Sequence, residues 1–204
     1  MFSPDATVSP SPAASSTAGH VPAAAPQPAV SSASDTSRQV SPSSALAVGP
    51  AMPRSAPVRL RIPKIGVDAP FTDLQIGPSG ALDAPPADDT NLVGWHASGT
   101  SPGERGTALI AGHLDTATAP AVFARLSELN TGDTFEVERV GGTTAIFLVD
   151  SVESFHKSDF PDRRVYDDTP AALVRLITCA GAYDRTAKDY TENLVVFAHL
   201  QSVG

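Results

Sequence analysis

The chain changes character at Val58, and that change limits what it can fold into. Before it, prolines at positions 4, 10, 12, 22, 26, 28, 42, 50, 53 and 57 stand among Ala, Ser, Thr and Val. Proline lacks a backbone donor, so helices and sheet ladders are interrupted throughout. Large apolar residues are scarce there, and such a stretch cannot offset its own ordering entropy. Residues 1–56 therefore read as a disordered, semi-extended spacer. From there to the end, 57–204, short β-rich segments alternate with turn signals, the pattern of an all-β sandwich or barrel.

The segments expected to be strands are 58–62, 65–68, 71–76, 91–96, 107–112, 133–139, 144–153, 172–178 and 193–201. Glycine-rich stretches such as Gly99–Gly103 and Gly141-Gly142 separate them. One segment has helical spacing. Between Pro120 and Leu129, the residues Val122, Phe123, Leu126 and Leu129 fall on one face, with Asn130-Thr131-Gly132 as a stop.

Charge and composition exclude some functions. Lys and Arg number 14 against 22 Asp and Glu, a net charge of −8. No basic cluster offsets that excess, which argues against nucleic-acid partners. No run approaches the ~20 apolar residues of a membrane-spanning helix, and no signal-peptide pattern opens the chain. Phosphate-loop and dinucleotide glycine fingerprints are absent. No Gly-x-Ser-x-Gly stretch has the strand–turn–helix context of a serine hydrolase.

Two apolar runs end in reactive side chains. Leu173–Cys179 closes on the single cysteine, and Thr107–His113 closes on a histidine. A lone cysteine at a strand end can be an inert small hydrophobe. Here the small residues Ala180-Gly181-Ala182 follow it, then Arg185, a cation able to favour thiolate or bind developing negative charge. A Cys–His pair is a recurring nucleophile–base arrangement. His20 lies in the spacer, His96 follows Trp95 in a strand, His156 sits in a polar stretch, and His199 lies within the last strand. His113 differs by having Gly112 before it and Asp115 after it, the latter able to orient the ring or cap a turn. A zinc site built from His96, His113, Asp115 and Cys179 is the rival reading, but no metal-binding spacing supports it.

From about Val58 onward the chain resembles the sortases, cysteine transpeptidases of Gram-positive bacteria, and within them the class F sortases of actinobacteria. Leu60–Pro70 is similar to the family's opening strand pair. Ala108–Thr116 is similar to the strand bearing the catalytic histidine. Leu176-Ile177-Thr178-Cys179 is similar to the TLxTC-type strand. Tyr190 and Asn193–Ala198 are similar to the class F ending.

The resemblance implies an eight-stranded β-barrel with one or two short helices. It implies cleavage of an LPxTG-like sorting motif between Thr and Gly through a thioacyl-enzyme. An amine from a cell-wall precursor or pilin then releases the product. It implies Cys179 as nucleophile and His113 as acid–base, with Thr178 beside the nucleophile. No metal and no cofactor is expected. The setting is the extracytoplasmic cell surface, and the spacer would link the barrel to an N-terminal membrane anchor. In the family the catalytic arginine lies on the last strand, but Ala187–Phe197 contains none. Arg185 is the candidate for that role, and Asn193 the alternative donor to the oxyanion. Residues 154–170 are the candidate substrate-selecting loop. The alternative to a transpeptidase is a non-catalytic peptide-binding module on the same barrel, or, less favoured, a zinc-dependent hydrolase.

Overall fold

A computed structural model describes residues 49–78 and 80–204. The spacer expected over 1–48 lies outside the described residues. The eight strands are β1 (Pro57–Ile62), β2 (Val67–Leu74), β3 (Val93–His96), β4 (Gly106–Gly112), β5 (Thr134–Arg139), β6 (Thr144–His156), β7 (Ala172–Asp184) and β8 (Asp189–Val203). They close into a barrel in the order β1-β2-β3-β4-β7-β8-β6-β5. The pairs β2–β3 and β4–β7 are parallel and the others antiparallel.

The sequence suggested nine strands, and the difference lies near the start. The segment expected at 65–68 begins in a 3-10 turn, Pro63–Ile65. Gly66 then reverses the chain at φ 73°, and a single strand, β2, follows. Positive φ is accessible to glycine at little cost, which explains the residue found there.

The interior is filled by alternate residues of every strand. Leu60, Ile62, Ile110, Val137, Leu176 and Val196 are fully buried, and Phe135 stacks on Phe147 at 5.4 Å. Strands β7 and β8 are covered on both faces. Val174, Leu176, Val196 and Ala198 point into the barrel. Ile177, Val195 and Phe197 instead pack with Val165, Phe155, Phe160 and Tyr166 on its outside. Burial on both faces is why these strands read as continuous apolar runs rather than as alternation.

The outer cluster is roofed by the β6–β7 connection. This contains a 3-10 turn, Lys157–Asp159, and the short helix α1 (Asp162–Tyr166). Arg164 of α1 binds both oxygens of Glu153 at 2.5 and 2.7 Å and lies 4.5 Å over the Phe197 ring. Contacts of this kind tie the connection to the barrel wall.

The periodic stretch 120–129 does not form the expected α-helix. It makes successive turns and a 3-10 turn at Leu126–Glu128. The expected apolar face is real, since Val122, Phe123, Leu126 and Leu129 are all buried. The hydrogen bonds explain the difference. Ala121 N–H donates to Leu114 O and Phe123 N–H to His113 O, at 3.0 and 2.9 Å, while later amides bond three residues back. The first amides of an α-helix need no internal partner, so it is the three-residue-back bonds of Ala124, Leu126, Glu128 and Leu129 that make tight turns here in place of a four-residue ladder.

Residues 49–56, placed in the spacer by their composition, run along the barrel. Met52 is buried, and its N–H donates to Gly103 O at 2.8 Å. Ser55 N–H donates to Ser101 Oγ at 3.1 Å, and the buried Arg139 donates to Pro53 O. No helix among the described residues is long and apolar enough to cross a membrane.

Candidate active site

The parallel pairing of β4 with β7 brings the two reactive chain positions together. Their ladder runs from Gly106↔Ala172 to Ala111↔Ile177. His113 and Cys179 each stand two residues beyond that last pair, on neighbouring strands that point the same way. Adjacent strands lie about 4.8 Å apart. Cys179 also pairs with Asn193 across the β7–β8 ladder, so the expected oxyanion donor is the direct neighbour of the thiol.

The chain around His113 is fixed by packing. A Cβ at Gly112 would lie 2.6 Å from the Phe123 ring and 2.8 Å from Val122, so only glycine lets the 120–129 segment close against the end of β4. The imidazole Nε2 lies 2.7 Å from Pro85 O. A carbonyl oxygen only accepts, so Nε2 carries the hydrogen in that contact.

Asp115 does not bond the imidazole. Its carboxylate accepts a hydrogen bond from the Tyr190 hydroxyl of β8. That bond and the carboxylate's charge hold the Tyr190 phenol protonated, pushing its pKa up to about 12. Tyr190 also meets Tyr183 edge-on at 5.3 Å.

Cys179 is a free, half-buried thiol on the outer face of β7. It borders two clefts. The larger, about 970 Å³, has apolar walls from Leu82, Phe160 and Tyr166, with Asn193, Lys157 and Asp189 beside the sulfur. The smaller, about 290 Å³, lies towards Leu114, Phe123, Thr178 and Gly181. Burial pushes the Cys179 thiol pKa up. Lys157 pulls it down, and Asp189 and Asp115 push it up. Thr178 is buried, and its hydroxyl has no hydrogen-bond partner.

Arg185 is exposed in the turn that joins β7 to β8, just beyond the Asp184↔Asp189 pair. About 16 Å of strand separates Cys179 from Asp184 at ~3.3 Å per residue, less what the bulge between Ala180 and Tyr183 removes. The structure thus sets Cys179, His113 and Asn193 at neighbouring positions on adjacent strands, turns Thr178 to the opposite face of β7 from the thiol, ties Asp115 to Tyr190, and leaves Arg185 on the hairpin turn. Among the described residues, no three His, Cys, Asp or Glu side chains converge as a metal site would require.

Sequence reasoning missed two elements of the site. Lys157 falls within the 154–170 stretch offered for substrate selection, but no signal in the sequence singles it out as a neighbour of the thiol. The 75–92 loop, which supplies Pro85 and the Leu82 wall, carries a readable signal. It separates two expected strands by more than a dozen residues with no element of its own, and long loops in compact domains tend to carry function.

A model of the sortase domain matches residues 60–201. This chain belongs to the sortase family. Its sequence is 24% identical to sortase C-1 of Actinomyces oris, with a TM-score of 0.54 over 72% of this chain and 75% of that one. Sortase C1 of Streptococcus agalactiae, solved as a complex with MTSET, is 22% identical at TM-score 0.52, covering 71% of this sortase and 66% of its own length. Sortase C-1 of Streptococcus pneumoniae is 23% identical at TM-score 0.52, with the same coverage. Identities this low show a shared fold. No curated protein matches the sequence.

Proposed function

We propose that this sortase is a cysteine transpeptidase of the class F kind, acting on an LPxTG-like sorting motif at the extracytoplasmic cell surface. The observation that carries the reading is positional. Cys179 and His113 extend the same parallel ladder by the same two residues, within a domain that matches the family over residues 60–201.

The chemistry follows from the residues. The Cys179 thiolate attacks the Thr carbonyl carbon of the motif, forming a C–S bond as the C=O electron pair moves to oxygen. Asn193, beside the sulfur, supports the reading as a donor to that oxyanion. The electron pair returns, the Thr–Gly C–N bond breaks, and His113 gives its proton to the departing amine. An incoming amine, from a cell-wall precursor or pilin, loses a proton to His113 and attacks the thioester. The new amide forms, and Cys179 leaves as thiolate. A thioester suits transfer because it keeps the acyl group activated until the second amine arrives.

Incubating the protein with LPxTG-type peptides and an amine acceptor tests this. The expected product joins the acceptor to the threonine. Cys179→Ala abolishes it, and His113→Ala lowers turnover by about 10²–10⁴-fold. Peptide binding without cleavage, unchanged by Cys179→Ala, would favour the binding-module alternative. Absence of both binding and cleavage across such peptides sinks the LPxTG assignment.

A further inference from the structure

A thiol that is half-buried beside two carboxylates needs a cation to ionise, and the family's usual last-strand arginine is absent here. Among the described residues, no arginine lines either cleft bordering Cys179. Arg175 precedes Cys179 on β7, but it is buried and stacks on Phe197 at 4.6 Å. Arg164 is held by Glu153 and the same ring. Arg185 lies on the hairpin turn.

Lys157 is placed differently. Its Nζ lies 3.9 Å from Cys179 Sγ, within reach of a sulfur acceptor. The same Nζ lies 2.7 and 2.6 Å from the two carboxylate oxygens of Asp189. Its side chain is 30% exposed. An ammonium has three hydrogens to donate, so it can serve a carboxylate and a sulfur together. Lys157 comes from the β6–β7 connection and Asp189 from the start of β8, so the pair fixes the ammonium between two separate elements.

We propose that Lys157 is a catalytic residue of this sortase, its ammonium pairing with the Cys179 thiolate in the charge-stabilising place that the sequence offered to Arg185. The assignment rests on Cys179 being the nucleophile. In this role Lys157 transfers no proton. It holds the sulfur negative before attack and receives it again when the thioester is resolved, while His113 carries the proton traffic. The other groups facing the thiol are Asp189 from β8 and Asp115 from beyond β4, both negative. His113 stands on the neighbouring strand, and the neutral Tyr190 completes the surroundings. Removing Lys157 therefore leaves no Lys or Arg among the described residues lining either cleft at the sulfur.

The test uses the full chain and needs no peptide. Cys179 is the single cysteine, so iodoacetamide alkylation followed by mass spectrometry reports one thiol. The pH midpoint of the alkylation rate is compared across variants, so altered access alone does not mimic the effect. Lys157→Met moves the midpoint upward, leaving about tenfold less thiolate at neutral pH, as expected on losing an opposite charge at this range. Lys157→Arg keeps most of the wild-type profile. Asp189→Asn moves the midpoint downward, and it serves as the independent reading if Lys157→Met does not fold. An unchanged midpoint in Lys157→Met overturns the proposal, as does an equal upward shift in Arg185→Ala. A wild-type protein that alkylates as expected but never cleaves a sorting peptide counts against the transpeptidase reading and leaves the ion pair standing.

Discussion

The ring of His113 is tied to the backbone of Pro85, Nε2 to carbonyl oxygen at 2.7 Å, across 28 residues of sequence. The contact links the strand that carries the imidazole to the long loop that walls the cleft. It also selects a tautomer, because Nε2 must carry the hydrogen and Nδ1 becomes the proton acceptor. Long-range ¹⁵N NMR of the imidazole checks this. The neutral ring is expected as the Nε2–H form, and shortening the loop across 80–86 should release that preference. Finding Nδ1–H in the intact protein contradicts it.

The thiol of Cys179 should titrate above the ordinary cysteine range. Burial is the largest influence and favours the neutral form. Thiolate is then a minor species near pH 7, and its fraction grows as pH rises. Alkylation of the wild-type protein should keep accelerating beyond about pH 8.5, the value of a free cysteine. A plateau below that point would mean that the cation outweighs burial.

Tyr190 offers a second pH signature. Its bond to Asp115 favours the protonated phenol, so the pKa is raised in the folded state, to about 12. The stabilisation is complete below the ordinary tyrosine value, about 10, and is lost as pH climbs from there through 12. An alkaline absorbance titration should show a late phase that Tyr190→Phe removes and Asp115→Asn moves back towards 10. Tyr166 is also raised, by burial, so the assignment depends on those variants.

Val165 is fully buried in the cluster under α1. Truncating it to Ala removes two methyl groups and leaves a gap beneath the Phe160 and Tyr166 wall of the cleft. The expected cost is about 2 kcal/mol of unfolding free energy, measured by urea denaturation. Peptide KM should rise more than kcat falls, because the wall rather than the chemistry is disturbed.

A chain beginning at Val58 should be less stable than one beginning at Gly49. The shorter chain lacks Met52, a core residue, and leaves the buried Arg139 guanidinium without Pro53 O. Those losses together are worth about 3–5 kcal/mol. Equal denaturation midpoints for the two chains would show that this segment does not stabilise the barrel.

Much of the barrel was readable because β4 and β7 are interior parallel strands. Buried on both faces, they appear as unbroken apolar runs, and their ends at His113 and Cys179 stand out. The 120–129 segment shows where pattern and conformation part. Its apolar spacing predicted burial correctly, yet its amides from Ala124 onward bond three residues back, giving turns rather than an α-helix. Helix α1 has five residues, too few for a period to show. Lys157 was hidden for another reason. It follows a strand whose last residues alternate between exposed and half-buried, and its partner Asp189 lies 32 residues away. Pro85 contributes a backbone oxygen, which no side-chain type announces.

The shared register of β4 and β7 makes their lengths part of the chemistry. Side chains alternate between faces along a strand, so sliding one strand by a single residue exchanges inside for outside. A one-residue insertion within 106–112 or 172–178 would keep both reactive side chains in the sequence while turning one of them to the wrong side of the wall. Substitutions along these stretches can be graded in their effects, whereas length changes there are all-or-none. An insertion scan across both strands should therefore mark them as the least length-tolerant parts of the barrel.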